Sequence, residues 1–416
     1  MLLNENVGLL AESGVSVKKR LEGYRNEHPS EALLRLDQSL MNMPLPELVI
    51  EGMLQAVRDT AEPLGARLSS PWSGYDSLKK AIVAHLEKSG VKLSESEIFI
   101  TGGLESAYAS LSHLFAAENT VILPAPCENR LLQLQQCAGR NVTFARATPE
   151  NDFAPEPDGS SGDLVYLTSP SPVTGVPLSR EKLQKWVDWA NESGAILFYD
   201  ASLSPYLSGD APRSIYEIEG ARSCAIQVFS FEKGYGVKEL KIAYVAIPAT
   251  LSRGTVRIRD AFCAGQPSTA TPPSYVMQRA AELLLSPEAA AETEKIIYRI
   301  QKVAATLSAG LSRAGIPHVG AETSPYLWAQ CPDGMNSWQC FDMLLEKASC
   351  VVTPGSVFGL GGESYFRITA FGTPEEAAEA VEKLTLAFEK KEEAAPAETE
   401  AEAAARLFET EENPTE

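Results

Sequence analysis

The stretch GDLVYLTSPSPVTGVPLSREKLQKWVDWANESGAILFYDAS, residues 162–202, contains two apolar runs of strand length that flank a segment with helix-spaced apolar positions. The runs 164–167 and 195–199 consist of aliphatic and aromatic residues, whereas residues 179–194 begin with Ser and Glu near their start and end on a glycine. This order predicts a strand, a helix and a second strand. Because nearly continuous apolar strands are typical of sheets covered on both faces, we expect a largely parallel sheet.

The same alternation continues on both sides of this stretch. Further apolar runs of strand length are SEIFITGG (96–103), NTVILPAP (119–126), SCAIQVFSF (223–231) and LKIAYVAIP (240–248). Between two of them, LESAYASLSHLFAAE (104–118) has the apolar spacing of a helix. The sequence therefore predicts an α/β fold with a mostly parallel central sheet and helices on both faces.

A second block follows the strand-rich region. Residues 271–315 have a long helical pattern and lead into segments that predict a smaller α+β domain, namely 324–331, 337–348, 353–359 and 364–372. We place the large α/β domain at residues 45–285 and the small C-terminal domain at 286–392. An N-terminal segment, 1–44, is expected to join the small domain, and 393–416 form an acidic tail.

The C-terminal tail differs in composition from the rest of the chain. From Glu389 to Glu416 there are ten Glu, two Lys and one Arg in an Ala-rich sequence. Such a segment cannot bury enough apolar area to offset the entropy lost on ordering, so we expect disorder beyond about Glu392. Removal of residues 393–416 should leave the midpoint of thermal unfolding nearly unchanged. A drop of many degrees would show that the tail docks on the folded body.

Composition limits the partners and the location. The chain has 416 residues and a net charge of -19, which disfavours nucleic acids and anionic membranes as partners. Its seven cysteines include no CxxC pair and its four histidines are dispersed, so neither a disulfide framework nor a zinc site is indicated. No secretory core or membrane-spanning run is present, and we expect a cytoplasmic protein with a small-molecule ligand or a protein partner.

Two chemically active side chains are placed at the ends of predicted strands. Asp200 ends ILFYD, and Lys233 follows the next long strand in SFEKGYGVKELK, residues 230–241. In open α/β sheets, ligands bind at the carboxyl ends of the strands. A lysine and a carboxylate there suit pyridoxal 5'-phosphate, since the lysine forms a Schiff base and the carboxylate keeps the pyridine nitrogen protonated. By spacing alone, a turn-capping Asp and a solvated Lys remain open alternatives.

Several uninterrupted runs strengthen the cofactor hypothesis. They are RSIYEIEGARSCAI (213–226), YVMQRAAELLLSPE (275–288), PDGMNSWQCFDMLLEKA (332–348) and TPGSVFGLGGESYFRITAFG (353–372). With them, nearly the whole folded chain resembles the class I/II, fold-type I aminotransferases, in particular the LL-diaminopimelate aminotransferase branch. The resemblance implies pyridoxal 5'-phosphate as cofactor, an amino acid as substrate and a homodimer.

The resemblance also implies roles for individual residues. Lys233 would carry the cofactor, Asp200 would face its pyridine nitrogen, and Arg367 would bind the substrate's α-carboxylate through its planar fork. A structural ion pair is the alternative role for Arg367. The positions implied for the phosphate group are Gly102, Gly103, Leu104, Ser230 and Lys241.

The departures from the family pattern lie around the expected cofactor. Glu105 stands in place of a Lys and Glu232 in place of a Ser, so two carboxylates would face the phosphate dianion and weaken its binding. Ser69 stands where a Tyr from the neighbouring subunit would reach across to the phosphate site. The groups expected to position the ring are lost as well, at Glu128, Pro172 and Leu203.

The expected substrate contacts have also changed. Trp72 and Thr271 stand where a Glu and an Asn would bind the distal part of diaminopimelate, and Glu105 removes a further contact. We therefore reject LL-diaminopimelate as substrate. Two hypotheses remain: a divergent pyridoxal-phosphate enzyme acting on an amino acid through Lys233, or a catalytically degenerate paralogue with a binding or regulatory role. In an empty pocket, Lys233 could instead pair with Asp200 or Glu232.

Overall fold

The computed structural model describes residues 12–38, 44–61, 71–157, 159–238, 240–269, 271–332 and 334–388. Ser69 and the acidic tail lie outside the described residues, so the predictions made for them stay predictions. No helix in the described part of the chain is long and apolar enough to cross a membrane.

The described residues form twelve α-helices. Their bounds are α1 (Glu12–Glu27), α2 (Glu47–Ala61), α3 (Asp76–Glu87), α4 (Leu104–Ser112), α5 (Asn129–Cys137), α6 (Arg180–Ser193), α7 (Phe231–Tyr235), α8 (Ile258–Thr269), α9 (Tyr275–Leu284), α10 (Pro287–Arg313), α11 (Ser337–Ala348) and α12 (Pro374–Phe388).

The described residues also form fifteen strands. Their bounds are β1 (Leu34–Arg35), β2 (Ile98–Thr101), β3 (Val121–Ala125), β4 (Val142–Arg146), β5 (Leu164–Thr168), β6 (Ile196–Asp200), β7 (Ala225–Ser230), β8 (Ala243–Ala246), β9 (Ser252–Arg253), β10 (Val256–Arg257), β11 (His318–Gly320), β12 (Tyr326–Gln330), β13 (Cys350–Val351), β14 (Thr353–Pro354) and β15 (Tyr365–Thr369).

A seven-stranded sheet forms the larger layer, in the order β2-β8-β7-β6-β5-β3-β4. The strands from β7 to β4 are parallel, whereas β8 runs antiparallel to both of its neighbours. Strands β5, β6 and β7 are buried along almost their whole length, which agrees with their continuous apolar sequences. The predicted α/β sheet with helices is therefore confirmed.

The quoted stretch 162–202 folds as the strand, helix and strand that its pattern predicts. Ser179 caps α6, since its side chain accepts a hydrogen bond from the backbone N–H of Lys182. Gly194 ends the helix with φ 78°, a left-handed conformation that costs glycine little. Leu183, Trp186 and Val187 on one face of α6 are fully buried and join the core beneath the sheet.

A smaller sheet with the order β11-β12-β15-β14 is antiparallel throughout. Residues from both chain ends share its core: Leu21 and Leu34 pack in the same cluster as Leu344, Ile368 and Leu384. Strand β1 extends this contact, because Leu34 pairs with Cys350 of β13 in parallel register. Arg367 lies on β15, opposite Trp328 and Thr353, and its side chain reaches Pro172, which follows β5 of the larger sheet.

Candidate active site

A cavity of about 520 Å³ lies between the carboxyl ends of the larger sheet and strand β15. Lys233 and Arg367 both line it, while Asp200 lies at the end of β6 with 2 % of its surface exposed. Three groups that the sequence separates by 33 and 134 residues are thus gathered at one place. The parallel strands β6 and β7 account for the first two, because their carboxyl ends meet at the same edge.

Lys233 lies in α7, the short helix that directly follows β7. The Ser230 hydroxyl caps this helix by accepting from the backbone N–H of Lys233 at 3.4 Å, and Gly236 ends it with φ 68°. The Lys233 Nζ atom donates to Glu128 Oε2 at 3.0 Å. The predicted pairing of Lys233 with Asp200 or Glu232 is therefore wrong: the loop after β3 brings a third carboxylate, Glu128, closer.

The Lys233–Glu128 pair shifts both pKa values. Burial disfavours the charged form of each group, but the opposite charge outweighs it, so the pKa of Glu128 is lowered and the pKa of Lys233 is raised. Asp200 contributes to the rise at Lys233. The amine is therefore held as an ammonium, the form that does not attack a carbonyl, as long as Glu128 stays beside it.

Loss of the Lys233 ammonium should cost stability. In Lys233→Met, the Glu128 carboxylate would face Asp200 without the lysine that balances its charge. Because 39 % of the Glu128 side chain is exposed, we expect the free energy of unfolding to fall by about 1–2 kcal/mol, less than for a fully buried pair. Urea unfolding at neutral pH measures this fall. The combined Lys233→Met and Glu128→Gln variant should recover most of the loss, and Lys238→Met is the matched control.

The loss in Lys233→Met should depend on pH with a defined sign. The pKa of Glu128 is lowered in the folded state, so the pair's contribution is present above the unfolded pKa and disappears as the pH falls and Glu128 takes up a proton. The wild type and Lys233→Met should therefore converge in acid. An equal difference at neutral and acid pH would contradict the ion-pair explanation.

Asp200 is held by hydrogen bonds at the end of β6. Its Oδ1 atom accepts from the backbone N–H of Ser202 at 2.8 Å and from the Ser202 hydroxyl. Burial raises the pKa of Asp200 above its ordinary value, although Lys233 and Ser202 act in the opposite direction. Tyr108 lies next to it, and burial together with Asp200 and Glu128 raises the pKa of the Tyr108 phenol. A cationic ring nitrogen beside Asp200 would favour its charged form.

Arg367 is buried on β15. Its Nη1 atom donates to the carbonyl oxygen of Pro172 at 2.8 Å, and its guanidinium lies 4.6 Å from the ring centre of Phe358 and 4.9 Å from that of Tyr326. Within the described residues, its Nε atom has no hydrogen-bond partner and no carboxylate lies within 4 Å of it. An unpaired buried donor is costly, so this guanidinium is suited to an anionic ligand.

The expected phosphate site contains the two predicted carboxylates, but each has a cation beside it. Glu105 lies at the start of α4 and pairs with Arg130 at 3.1 Å, where both side chains are exposed. Glu232 is buried and pairs with Lys241. Sequence reasoning gave Arg130 no role at this site. The two acids therefore oppose an anion less than their sequence positions suggest.

The remaining phosphate positions meet at the start of α4. Gly103 caps this helix with φ 105° and follows Gly102, while Leu104 and Ser230 line the cavity beside Lys241. Helix N-termini favour anions, because their first N–H groups have no partner within the helix. The cavity lining as a whole has more bases than acids: Arg130, Lys233, Lys238, Lys241 and Arg367 against Glu105, Glu128 and Glu232.

The changed ring and substrate positions are spread over the molecule. Pro172 lines the cavity and offers only its carbonyl oxygen, which is bound to Arg367. Leu203 is buried in the same core cluster as Leu344 and Ile368. Trp72 and Thr271 are exposed and are not part of the cavity lining. Pro172 and Leu203 therefore supply no side-chain hydrogen-bond donor to a cofactor ring.

The residues present suit a phosphorylated pyridine aldehyde in three respects. A lysine amine and an anion-favouring helix start with Ser230 and Lys241 line one cavity of adequate size, and the buried Asp200 carboxylate interacts with that lysine. Glu128 and Glu232 would weaken its binding. The cofactor, when bound, would supply an electron-accepting ring. Lys233, Asp200 and the start of α4 are the groups that would hold it.

Comparisons with known proteins identify the family to which this chain is similar. Residues 41–384 match the family model "Aminotransferase class I and II". The LL-diaminopimelate aminotransferase of Lachnospira eligens is 34 % identical over 383 residues, covering 89 % of this chain and 95 % of that protein. The enzyme of the same name from Bacteroides thetaiotaomicron is 33 % identical over 387 residues, covering 88 % and 94 %.

Solved structures show the same architecture. The L,L-diaminopimelate aminotransferase of Chlamydomonas reinhardtii superposes with a TM-score of 0.86 at 26 % identity, covering 93 % of this chain and 99 % of that chain. The aspartate aminotransferase of Thermus thermophilus with maleate superposes with a TM-score of 0.81 at 20 % identity, covering 93 % and 100 %, and supports the fold alone. Proteins of this fold type depend on pyridoxal 5'-phosphate. The chain therefore belongs to the class I and II aminotransferase family, as its sequence predicts.

Proposed function

We propose that the protein is a pyridoxal-phosphate-dependent aminotransferase that acts on an amino acid other than LL-diaminopimelate. In this proposal Lys233 attaches the cofactor, Asp200 faces its ring nitrogen and Arg367 binds the substrate carboxylate. The observation that carries the proposal is the convergence of these groups from three separate elements: Lys233 and Arg367 line one cavity, and Asp200 lies buried close enough to Lys233 to raise its pKa. We also propose that the protein forms a homodimer, since aminotransferases of this family are typically dimeric. A location in the cytoplasm is part of the same proposal.

The chain's own residues have distinct tasks in this proposal. Arg367 orients the substrate through its carboxylate, and the rings of Phe358 and Tyr326 keep water from the guanidinium. Lys233 moves a proton at the substrate's α-carbon, which requires its amine to be released from Glu128. Asp200, held by Ser202, stabilises positive charge at the ring nitrogen.

The exclusion of LL-diaminopimelate rests on lost recognition groups. The Glu and Asn expected to bind the second ammonium at the far end of the substrate are replaced by Trp72 and Thr271, and neither residue lines the cavity. The relatives that carry the name LL-diaminopimelate aminotransferase share about one third of their residues with this chain. That level of identity leaves room for a different substrate.

A second candidate is supported by the Lys233–Glu128 ion pair. Together with Glu232–Lys241 it satisfies most of the buried charge without any ligand. A paralogue that has lost catalysis would retain the aminotransferase fold and bind other molecules. Fold alone cannot separate this candidate from an enzyme.

An amino-transfer assay decides between the two candidates. The purified protein with millimolar pyridoxal 5'-phosphate is offered common L-amino acids and LL-diaminopimelate as donors, with 2-oxo acids as acceptors. We expect turnover of at least one common amino acid and a loss of kcat/KM of about a hundredfold in Arg367→Gln, with Lys80→Ala as an exposed control. Preferred turnover of LL-diaminopimelate, or no turnover of any donor, would overturn the proposal.

A further inference from the structure

The cavity has a charged end and an apolar end along the sheet edge. Lys233 follows β7, Lys241 precedes β8 and Asp200 ends β6, so these charged groups lie over one half of the strand order β2-β8-β7-β6-β5-β3-β4. The other half, β5-β3-β4, carries Glu128 and Arg130 at the start of α5 together with apolar lining residues, which include Leu134 on α5 and Ala147 after β4. With strands about 4.8 Å apart, β7 and β3 are separated by roughly 14 Å.

Apart from Glu128 and Arg130 at the start of α5, the lining of the second half carries no charged residue. Of the lining residues between 147 and 178, none is charged, and Phe153, Val173, Val176 and Leu178 are among them. Leu131 and Leu134 of α5 add to the same region. We call the compartment lined by these six residues the apolar end.

The apolar end is continuous with the Arg367 anchor. Phe358 packs in one cluster with Ala147, Phe153 and Val173, and the Arg367 guanidinium lies 4.6 Å from its ring centre. The same guanidinium has an unpartnered Nε within the described chain. A carboxylate bound there would have an apolar compartment directly beside it.

We propose that the site takes amino acids, and the 2-oxo acids derived from them, whose side chains are long and apolar. This inference rests on the proposed function and names its substrate class. The carboxylate binds Arg367, and the side chain fills the apolar end, where removal of apolar area from water favours binding. Acidic and basic side chains are disfavoured, because none of the six residues that define that end is charged and could compensate their burial.

Straight-chain carboxylates test the apolar end without any cofactor. Acetate, butyrate, hexanoate and octanoate are titrated into the full chain by calorimetry. We expect affinity to rise about fourfold per buried methylene, hence more than tenfold from hexanoate to octanoate. Equal affinity for all four acids would overturn the inference.

Variants of the cavity lining test whether the alkyl chain of the carboxylate binds in the apolar end. Leu134→Trp should lower octanoate affinity at least tenfold and leave acetate affinity unchanged, whereas Gln133→Trp, one residue earlier on the same helix and outside the lining, should change neither. Ala147→Leu is a second, smaller filling variant should Leu134→Trp unfold. Arg367→Gln should weaken all four acids by a similar factor. Unchanged octanoate binding in a folded filling variant would contradict the assignment.

The two proposals can fail separately. A steep dependence on chain length, without amino transfer, would refute the enzyme and retain the apolar end. Amino transfer with a flat chain-length series would refute the apolar end and retain the enzyme.

Discussion

Replacement of Lys233 by alanine should abolish the visible absorbance that the protein acquires with pyridoxal 5'-phosphate. Among the lining residues, Lys233 is the amine placed at the end of β7 next to Asp200, and its side chain is only 15 % exposed. Lys238 and Lys241 also line the cavity, but Lys241 is half exposed and paired with Glu232. We therefore expect Lys238→Ala and Lys241→Ala to retain part of the absorbance.

The absorbance is measured at millimolar cofactor, before and after borohydride reduction. Wild type should lose its visible band on reduction, which reports a covalent link to an amine. Persistence of a full, reducible band in Lys233→Ala would place the reactive amine elsewhere and end the proposed role of Lys233.

The second large effect is expected at the phosphate end. Glu105→Lys combined with Glu232→Ser should tighten cofactor binding by roughly tenfold or more, or about 1.4 kcal/mol. The larger share should come from Glu232, which is buried and occupies Lys241, whereas Glu105 and Arg130 are exposed to solvent and screened. The release of Lys241 would give the phosphate a free cation.

Titration of the cofactor by absorbance measures this gain. Glu192→Lys with Glu294→Ser makes the same change of net charge at exposed positions away from the cavity and serves as control. Should wild type show no adduct at millimolar cofactor and the cavity variant acquire one, Lys233 is a relic and the degenerate candidate stands. Tight binding by wild type would instead contradict the electrostatic argument.

The strands of the sheet were predictable where both faces are buried. Successive residues of the apolar runs that become β5, β6 and β7 belong to two different core clusters, one on each face of the sheet, so their sequences alone reveal them. Strand β4 was missed, because it lies at the sheet edge, is only partly buried and contains the polar residues Thr143 and Arg146. Lys233 and Asp200 were identified from their strand-end positions and from the family resemblance, and Arg367 from the resemblance.

The pairing of the charges was not predictable. Sequence places Glu232 next to Lys233 in the chain, yet the helical turn of α7 directs Glu232 to Lys241 and leaves Lys233 to Glu128, 105 positions away. Only the path of the loop after β3 decides this. The apolar end was missed for a similar reason. Its residues come from several separated segments, and the apolar residues of each segment alone are typical of a protein core.

The most direct test of the account is the site of covalent attachment. Wild-type protein is incubated with pyridoxal 5'-phosphate, reduced with borohydride, digested and mapped by peptide mass. We predict that the reduced cofactor is found on Lys233 in the peptide that contains SFEKGYGVK, in proportion to the lost absorbance. Label on Lys238, Lys241 or surface lysines with Lys233 unmodified would contradict it.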